Sequence, residues 1–186
     1  MLPNLQTISQ RIVVVDGGWT VGKSTLCHDL CATIAGSVFL QEPSGCPHSA
    51  KAARADWYFS EHLTRLAVAE THASAGRIVV MERGLISTIA YNFEEHPRFT
   101  QRAMAAGGYD SLKHILLVDW NPNRRYRDIH LGDAREMKKA GERQRYAERI
   151  LQIAHSSVRN KLIIRGRYHR AIHRDRVREF ALRSAV

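Results

Sequence analysis

The sequence RIVVVDGGWTVGKSTL, residues 11–26, decides the fold. Residues 12–15 form a run of four apolar residues, which predicts a strand buried on both faces. Residues 17–24 have the spacing G-x4-G-K-S, and apolar residues then recur at helical steps from 26 to 34. A glycine-rich loop between a strand and the N-terminus of a helix is typical of a phosphate site, because the helix dipole favours an anion there.

The chemistry of this loop comes from its backbone as much as from its side chains. Backbone N–H groups surround phosphate oxygens, Lys23 reaches the outer phosphates, and the hydroxyl of Ser24 helps to hold Mg²⁺. The alternative is a glycine-rich turn in which Lys23 is only a solvated surface charge. The context favours the first interpretation, which predicts that nucleotide phosphates are bound by Gly17, Gly18, Gly22, Lys23, Ser24 and Thr25.

The composition is that of one globular domain. The chain has 186 residues, of which 44% are hydrophobic and 25% charged, and this is enough to bury a single core. No apolar run approaches the length of about 18 residues that a membrane span needs. The N-terminus lacks the pattern of a secretory signal, and three cysteines indicate no disulfide framework. We therefore expect one cytoplasmic domain that covers residues 1–186.

The net charge of +10 is spread unevenly along the chain. Residues 1–119 carry 10 Lys or Arg and 11 Asp or Glu, whereas residues 120–186 carry 18 and 7. A basic segment favours polyanionic partners, either nucleic acid or several phosphates at once. Few aromatic residues lie among these arginines, so a surface for stacking bases is not indicated. We expect no nucleic acid as the main partner.

Short apolar segments alternate with helical ones along the chain. This pattern predicts a parallel sheet covered by helices on both faces, and thus a three-layer α/β/α fold of the P-loop NTPase type with five strands. The expected strands are residues 12–15, 37–40, 77–81, 114–118 and 161–164. The expected helices begin after the glycine-rich loop and cover residues 49–75, 134–156 and a C-terminal segment around 172–180.

Four acidic residues end four of the predicted strands, at the sheet edge where ligands bind in such folds: Asp16, Glu42, Glu82 and Asp119. A carboxylate there can hold Mg²⁺ beside the β and γ phosphates. Glu82 is followed by Arg83, and this arginine could bridge the transferring and accepting phosphates. The alternative interpretation of Glu82 and Arg83 is a structural ion pair at the end of a strand. Asp119 is better interpreted as a turn former before Asn121 and Pro122.

The motifs taken together resemble those of the thymidylate kinase family of P-loop nucleoside monophosphate kinases. DGGWTVGKSTL is similar to the family's phosphate loop, with Asp16 before the glycines. LQEPSGCPHSAKAAR resembles its REPGGTP…R segment, with Glu42 and Arg54 in register. GRIVVMERGLISTIAYN resembles its G…VxxDRyxxSxxAYQ segment, with Arg83, Ser87 and Tyr91 matching. GDAREMKK falls where the family has a lid that ends in DRxE, here Asp133 and Glu136.

The resemblance implies phosphoryl transfer from ATP, with Mg²⁺, to a nucleoside monophosphate. It implies catalytic roles for Lys23, Arg83, Asp16 and Glu82, and a metal held by Ser24 and Glu82. It implies a short lid at about residues 123–136, whose Arg124, Arg125, Arg127 and Arg135 meet phosphate charge, and a homodimer. The acceptor would contact Glu42, Arg54, Trp57, Tyr58, Glu61, Arg65, Ser87 and Tyr91, although Ser87 and Tyr91 could equally be helix-packing residues.

The departures from the family pattern concern the substrate. Gln41 replaces an arginine, Glu82 replaces an aspartate, and the lid is a few residues short. Glu61 falls where the family has its base-reading arginine. A carboxylate accepts hydrogen bonds, so Glu61 would favour a base edge rich in N–H groups. The alternatives are that Glu61 points to solvent, or that Arg65, one helical turn later, reads the base instead.

Two further functions stay open at this stage. The first is a kinase that phosphorylates an alcohol, a nucleoside or a small metabolite, because deoxynucleoside kinases share similar phosphate-loop, Glu-Pro and Glu-Arg elements. Such a reaction gains from a base, for which Glu42 and Asp16 are candidates. The second is a nucleic-acid-dependent P-loop ATPase. The length of the EPxGxP…R match and its Arg54 favour the monophosphate kinase.

Overall fold

Five parallel strands form one sheet in the part of the chain that the computed structural model describes, residues 8–19, 21–105, 111–119 and 134–183. In this range the side chains of residues 95, 96, 104, 134–140 and 143 are not described. The sheet order is β2-β3-β1-β4-β5. Its strands are β1 (Ile12–Gly17), β2 (Val38–Leu40), β3 (Val79–Glu82), β4 (Lys113–Val118) and β5 (Asn160–Arg165). The predicted five-stranded parallel α/β fold is confirmed.

Six α-helices are described in the same ranges: α1 (Lys23–Thr33), α2 (Lys51–Ser74), α3 (Leu85–Tyr91), α4 (His96–Ala105), α5 (Ala134–Ser157) and α6 (Arg170–Leu182). A short 3₁₀ turn, Phe93–Glu95, connects α3 to α4. The sequence pattern does not predict α3, because its first six residues are all buried and it therefore has no polar face.

The two faces of β1 belong to two different cores. Ile12 and Val14 point to one side, where they pack with residues of α2, α3 and α5. Val13 and Val15 point to the other side, where they pack with residues of α1 and α6. Both faces of the sheet are thus covered, which explains the uninterrupted apolar run of β1 and completes the α/β/α layers.

The glycine-rich loop begins where β1 approaches β4 most closely. A Cβ on Gly17 would lie 2.6 Å from the carbonyl oxygen of Leu117, so a glycine is required at this point. Gly22 has a φ of 92°, in the left-handed region that favours glycine, and it precedes the first residue of α1. The backbone N–H of Tyr168 donates to the carbonyl of Val21 (2.8 Å), which fixes the end of the loop from outside.

The residues after β4 are described only as far as Asp119, which is half-buried. The expected lid at residues 123–136, with Arg124, Arg125, Arg127 and Asp133, lies largely outside the described residues. Arg135 and Glu136 fall in the first turn of α5, and their side chains are likewise not described. Among the described helices, none is long and apolar enough to cross a membrane.

Candidate active site

The loop between β1 and α1 presents backbone N–H groups at the start of a helix. The residue before α1, Gly22, makes no side-chain cap, so the first turn of α1 has no capping side chain to accept its N–H groups. Ser24 and Thr25 lie on this turn and are exposed. The arrangement is the one that binds anions at helix N-termini.

Lys23 is the cation of this loop. Its side chain is almost completely buried, with 6% exposed, and its Nζ donates a hydrogen bond to the carbonyl of Gly18 (2.7 Å). Burial, and next the positive charge of Arg83, lower the pKa of Lys23 to about 8. A phosphate in the loop would return an opposite charge to this ammonium group.

Ser24 and Glu82 meet across the ends of α1 and β3. The hydroxyl of Ser24 donates to Oε1 of Glu82 at 2.6 Å, and Glu82 is buried. A hydroxyl and a carboxylate are oxygen ligands of the kind that Mg²⁺ takes, with waters and phosphate oxygens in its remaining positions. The two residues expected to hold the metal are therefore adjacent and suited to it.

Asp16 lies beneath the site. It is fully buried and accepts hydrogen bonds from the hydroxyl of Ser87 and the N–H of Gly84 (3.1 Å), while the Nδ1 of His114 lies 3.4 Å away. Burial acts to raise the pKa of Asp16, but the contacts with His114, Ser87 and Gly84 lower it. Its carboxylate thus holds the start of α3 against β1, and the structure does not bring this expected catalytic residue to the surface of the site.

Arg83 is held rigidly at the end of β3. Its φ of 59° is left-handed, which costs a residue with a side chain about 1 kcal/mol or more, and its backbone N–H donates to the carbonyl of Val15 (2.9 Å). The guanidinium lies 2.7 Å from Oε1 of Glu42 and donates to the hydroxyl of Tyr146 (3.0 Å). It also lies over the ring of Tyr91, 5.6 Å from the centroid.

A cleft of about 460 Å³ opens beside Arg83. Five of the residues predicted to bind the acceptor or the phosphates line it: Glu42, Arg54, Tyr58, Ser87 and Tyr91. Arg83 lines it too. Sequence reasoning missed six more lining residues, namely Trp19, Lys51, Ala55, His62, Thr88 and Asn92.

The helix α2 presents one face to this cleft. Residues 51, 54, 55, 58 and 62 follow the i, i+3, i+4 spacing of one helix face, a signal that groups them but does not tell which face of α2 meets the cleft. Trp57 and Glu61 are half-buried and are not among the lining residues; the ring of Trp57 packs edge-on against that of Tyr58. The expected base-reading role of Glu61 therefore has no geometric support.

Arg65 connects the ends of two strands. Its guanidinium donates to the backbone carbonyls of Leu40 (2.7 Å), Glu82 (2.9 Å) and Arg83 (3.2 Å). It also donates to Nδ1 of His62 at 3.0 Å. Arg65, expected as an alternative reader of the base, is used to fix the backbone around Arg83 and does not line the cleft.

Trp19, in the glycine-rich loop, joins the two halves of the site. Its ring packs against Tyr91 (centroids 5.1 Å apart) and Tyr146 (5.6 Å), and it is 43% exposed at the cleft. Tyr146 belongs to α5 and Tyr91 to α3. The phosphate loop is thereby in contact with α3, which lines the cleft, and with α5.

Comparison with known proteins supports the fold alone. No protein-family model matches the chain, and its sequence matches no curated protein. The structure is similar to the crystal structure of a thymidylate kinase from Ehrlichia chaffeensis, with a TM-score of 0.61 and 13% sequence identity over 90% of this chain and 94% of that one. This likeness supports the α/β/α fold with a parallel sheet that the sequence predicts.

Proposed function

We propose that the chain is an ATP- and Mg²⁺-dependent kinase that transfers a phosphoryl group to a nucleoside monophosphate. The observation that carries the proposal is the charge of the cleft beside the phosphate loop. Among its described lining residues, Lys51, Arg54 and Arg83 are cationic and Glu42 is acidic, while Lys51 also contacts Glu94 (3.3 Å). A cleft with this excess of cations favours an acceptor that is itself an anion.

The donor nucleotide is assigned to the loop. The backbone N–H groups of residues 17–25 and the ammonium of Lys23 bind its phosphates, as in other phosphate loops. Ser24 and Glu82 hold Mg²⁺, which neutralises charge on the β and γ oxygens. Arg127 and Arg135 are retained as lid residues that meet phosphate charge when the site closes and excludes water.

Arg83 is positioned to stabilise the transferring group. Its guanidinium is fixed by Glu42 on one side and Tyr146 on the other, so it needs little reorganisation when charge develops. No general base is required, because a phosphate monoester with a second pKa near 6 is already ionised at neutral pH. Positioning and electrostatics then supply most of the rate enhancement.

The second candidate, a kinase that phosphorylates an alcohol, is favoured by Glu42. This carboxylate lines the cleft next to Arg83 and could remove a proton from a hydroxyl. Its ion pair with Arg83 (2.7 Å) argues against this role, because the carboxylate is already held by the guanidinium.

The deciding experiment measures ADP release with Mg-ATP and a panel of nucleosides and nucleoside monophosphates, with the products identified by mass spectrometry. We expect turnover of monophosphates only, and a rise in KM for the monophosphate in Arg54→Met that Arg178→Met, on the exposed part of α6, does not show. Turnover of nucleosides, with a loss of about 10²-fold or more in Glu42→Gln, would establish the alcohol kinase instead.

The homodimer stays a prediction from the resemblance, and the cytoplasmic location stays a prediction from the sequence composition. Light scattering of the purified chain checks the first, and a monomer at micromolar concentration would contradict it.

A further inference from the structure

His62 forms part of the cleft wall in a single protonation form. Its side chain is 2% exposed, and its Nδ1 lies 3.0 Å from Nη1 of Arg65. A guanidinium has only donors, so Nδ1 must be the nitrogen that carries the lone pair. In the neutral ring the proton is therefore on Nε2.

The fold leaves Arg65 no freedom to release this contact. Its two terminal nitrogens are used by the carbonyls of Leu40, Glu82 and Arg83 as well as by the imidazole. Burial, and next the charge of Arg65, lower the pKa of His62 to about 3, with Arg83 acting in the same direction and Asp16 in the opposite one. The ring is neutral at physiological pH.

The Nε2–H group is available to a ligand. Within the described residues, the imidazole has its one hydrogen bond with Arg65, and the ring lines the cleft. An acceptor molecule that supplies a lone pair to this N–H group gains a hydrogen bond from the cleft wall.

Neutral residue types are the neighbours of His62 along the face of α2 that lines the cleft. Ala55 and Tyr58, on the same face of α2, and Thr88 of α3 line the cleft with His62. On α2 the charged lining residues Lys51 and Arg54 come about two to three helical turns before His62, and the phosphate of an acceptor is assigned to them. Its neutral ring belongs with His62.

We propose that His62 selects the base of the acceptor: its Nε2–H donates a hydrogen bond to a ring carbonyl oxygen and disfavours an amino group at the same place. The inference rests on the proposed function, because it takes a nucleoside monophosphate as the occupant of the cleft. An amino group at that place would bring its N–H donors against the Nε2–H donor of His62, and no hydrogen bond could form. The preference is opposite to the one expected for a carboxylate at Glu61.

The kinetic test uses pairs of monophosphates in which one member has a carbonyl group where the other has an amino group. The pairs are uridine and cytidine monophosphate, and guanosine and adenosine monophosphate. We expect the parent to prefer the carbonyl member of at least one pair by about 10-fold to 100-fold in kcat/KM. His62→Leu should bring that ratio close to one. His62→Gln, whose amide can accept from Arg65 and still donate into the cleft, should restore it.

A purely structural role for His62 would lower kcat/KM for both members of each pair and leave the ratio unchanged, and that result overturns the proposal. So does a parent enzyme that prefers the amino member of both pairs. Glu61→Gln serves as the matched control on the same helix, and it should leave the ratio where it is.

The protonation form is tested independently of catalysis. Long-range ¹H–¹⁵N NMR should show the His62 ring, assigned by its loss in His62→Gln, with a protonated Nε2 and a bare Nδ1 at every pH from 5 to 8. Addition of uridine monophosphate should shift the Nε2 resonance of His62, and addition of cytidine monophosphate should not. If no monophosphate is phosphorylated, the proposed function fails, whereas this spectrum still decides the inference about His62.

Discussion

Lys23 and Arg83 are two buried cations whose charges oppose each other in the absence of phosphate. Both side chains are at most 6% exposed, and Arg83 contributes to the lowered pKa of Lys23. The carboxylates of Glu42, Glu82 and Asp16 act in the opposite direction on Lys23. An oligophosphate in the loop would add negative charge beside Lys23 and offset the effect of Arg83 on it.

The affinity for Mg-ATP should fall as the pH rises above about 8, because Lys23 must be charged to bind phosphate and its pKa in the free protein is about 8. A bound phosphate raises the pKa of Lys23, so the Kd for Mg-ATP should increase by up to tenfold per pH unit above 8. Below pH 8 the titration of Lys23 should not change the Kd. Calorimetric titrations from pH 7 to 9.5 measure the slope.

Lys23→Arg is the control for this pH dependence, since a guanidinium stays charged throughout the range. Its Kd should show no such slope, whatever its absolute value. A slope shared by the parent and Lys23→Arg would assign the titration to another group, and a parent without a slope would contradict the role of Lys23.

At the scale of elements, the contact between β1 and β4 determines where the phosphate loop begins. The Gly17→Ala substitution should lower the free energy of unfolding by about 1–3 kcal/mol, because the added Cβ would lie 2.6 Å from the carbonyl oxygen of Leu117. Urea unfolding followed by circular dichroism measures the change.

Gly141→Ala, in α5, provides a control of opposite sign. The nearest atom to its added Cβ is Nη1 of Arg145 at 3.5 Å, an ordinary contact. A glycine inside a helix costs about 0.5–1 kcal/mol relative to alanine, so this variant should be more stable than the parent. Equal effects of the two substitutions would contradict the close approach at Gly17.

The elements differ in how far the sequence predicts them. The apolar runs of β1 and β4 identify central strands without ambiguity, because they are buried on both faces. Which face of α2 meets the cleft is harder to predict, because aromatic and charged residues occur all around this helix. Packing decides that Tyr58 and His62 line the cleft while Glu61 does not.

The candidate site shows the same division. The motif spacing predicts that Ser24 and Glu82 meet, because α1 begins and β3 ends at the same edge of the sheet. The contact between Arg65 and His62 depends on carbonyls contributed by two strands. No local pattern in the sequence contains it.

At the scale of the whole molecule, the uneven charge does not by itself indicate a nucleic-acid enzyme. Arginines of α6 and of its C-cap have local partners: Arg170 pairs with Asp29, Arg174 with Asp175, and Arg183 with Glu179. These contacts use part of the positive charge of the C-terminal segment within the fold.

Single-stranded polynucleotide should therefore not stimulate ATP hydrolysis by this chain. Any binding should weaken steeply between about 50 and 200 mM salt, as expected for contacts with phosphates alone. The measurement is ADP release with and without polynucleotide and without a small acceptor. Stimulation by several fold, with no phosphorylated small product, would favour the ATPase that the sequence left open.

The central claim, that the loop at residues 17–25 binds the phosphates of Mg-ATP, is tested most directly by calorimetric titration at pH 7.5 of the parent and of Lys23→Ala. We predict one binding site in the parent and a Kd at least about tenfold weaker in the variant, which loses a charge-assisted contact. No heat of binding in the parent, or equal affinities of the two proteins, would contradict it.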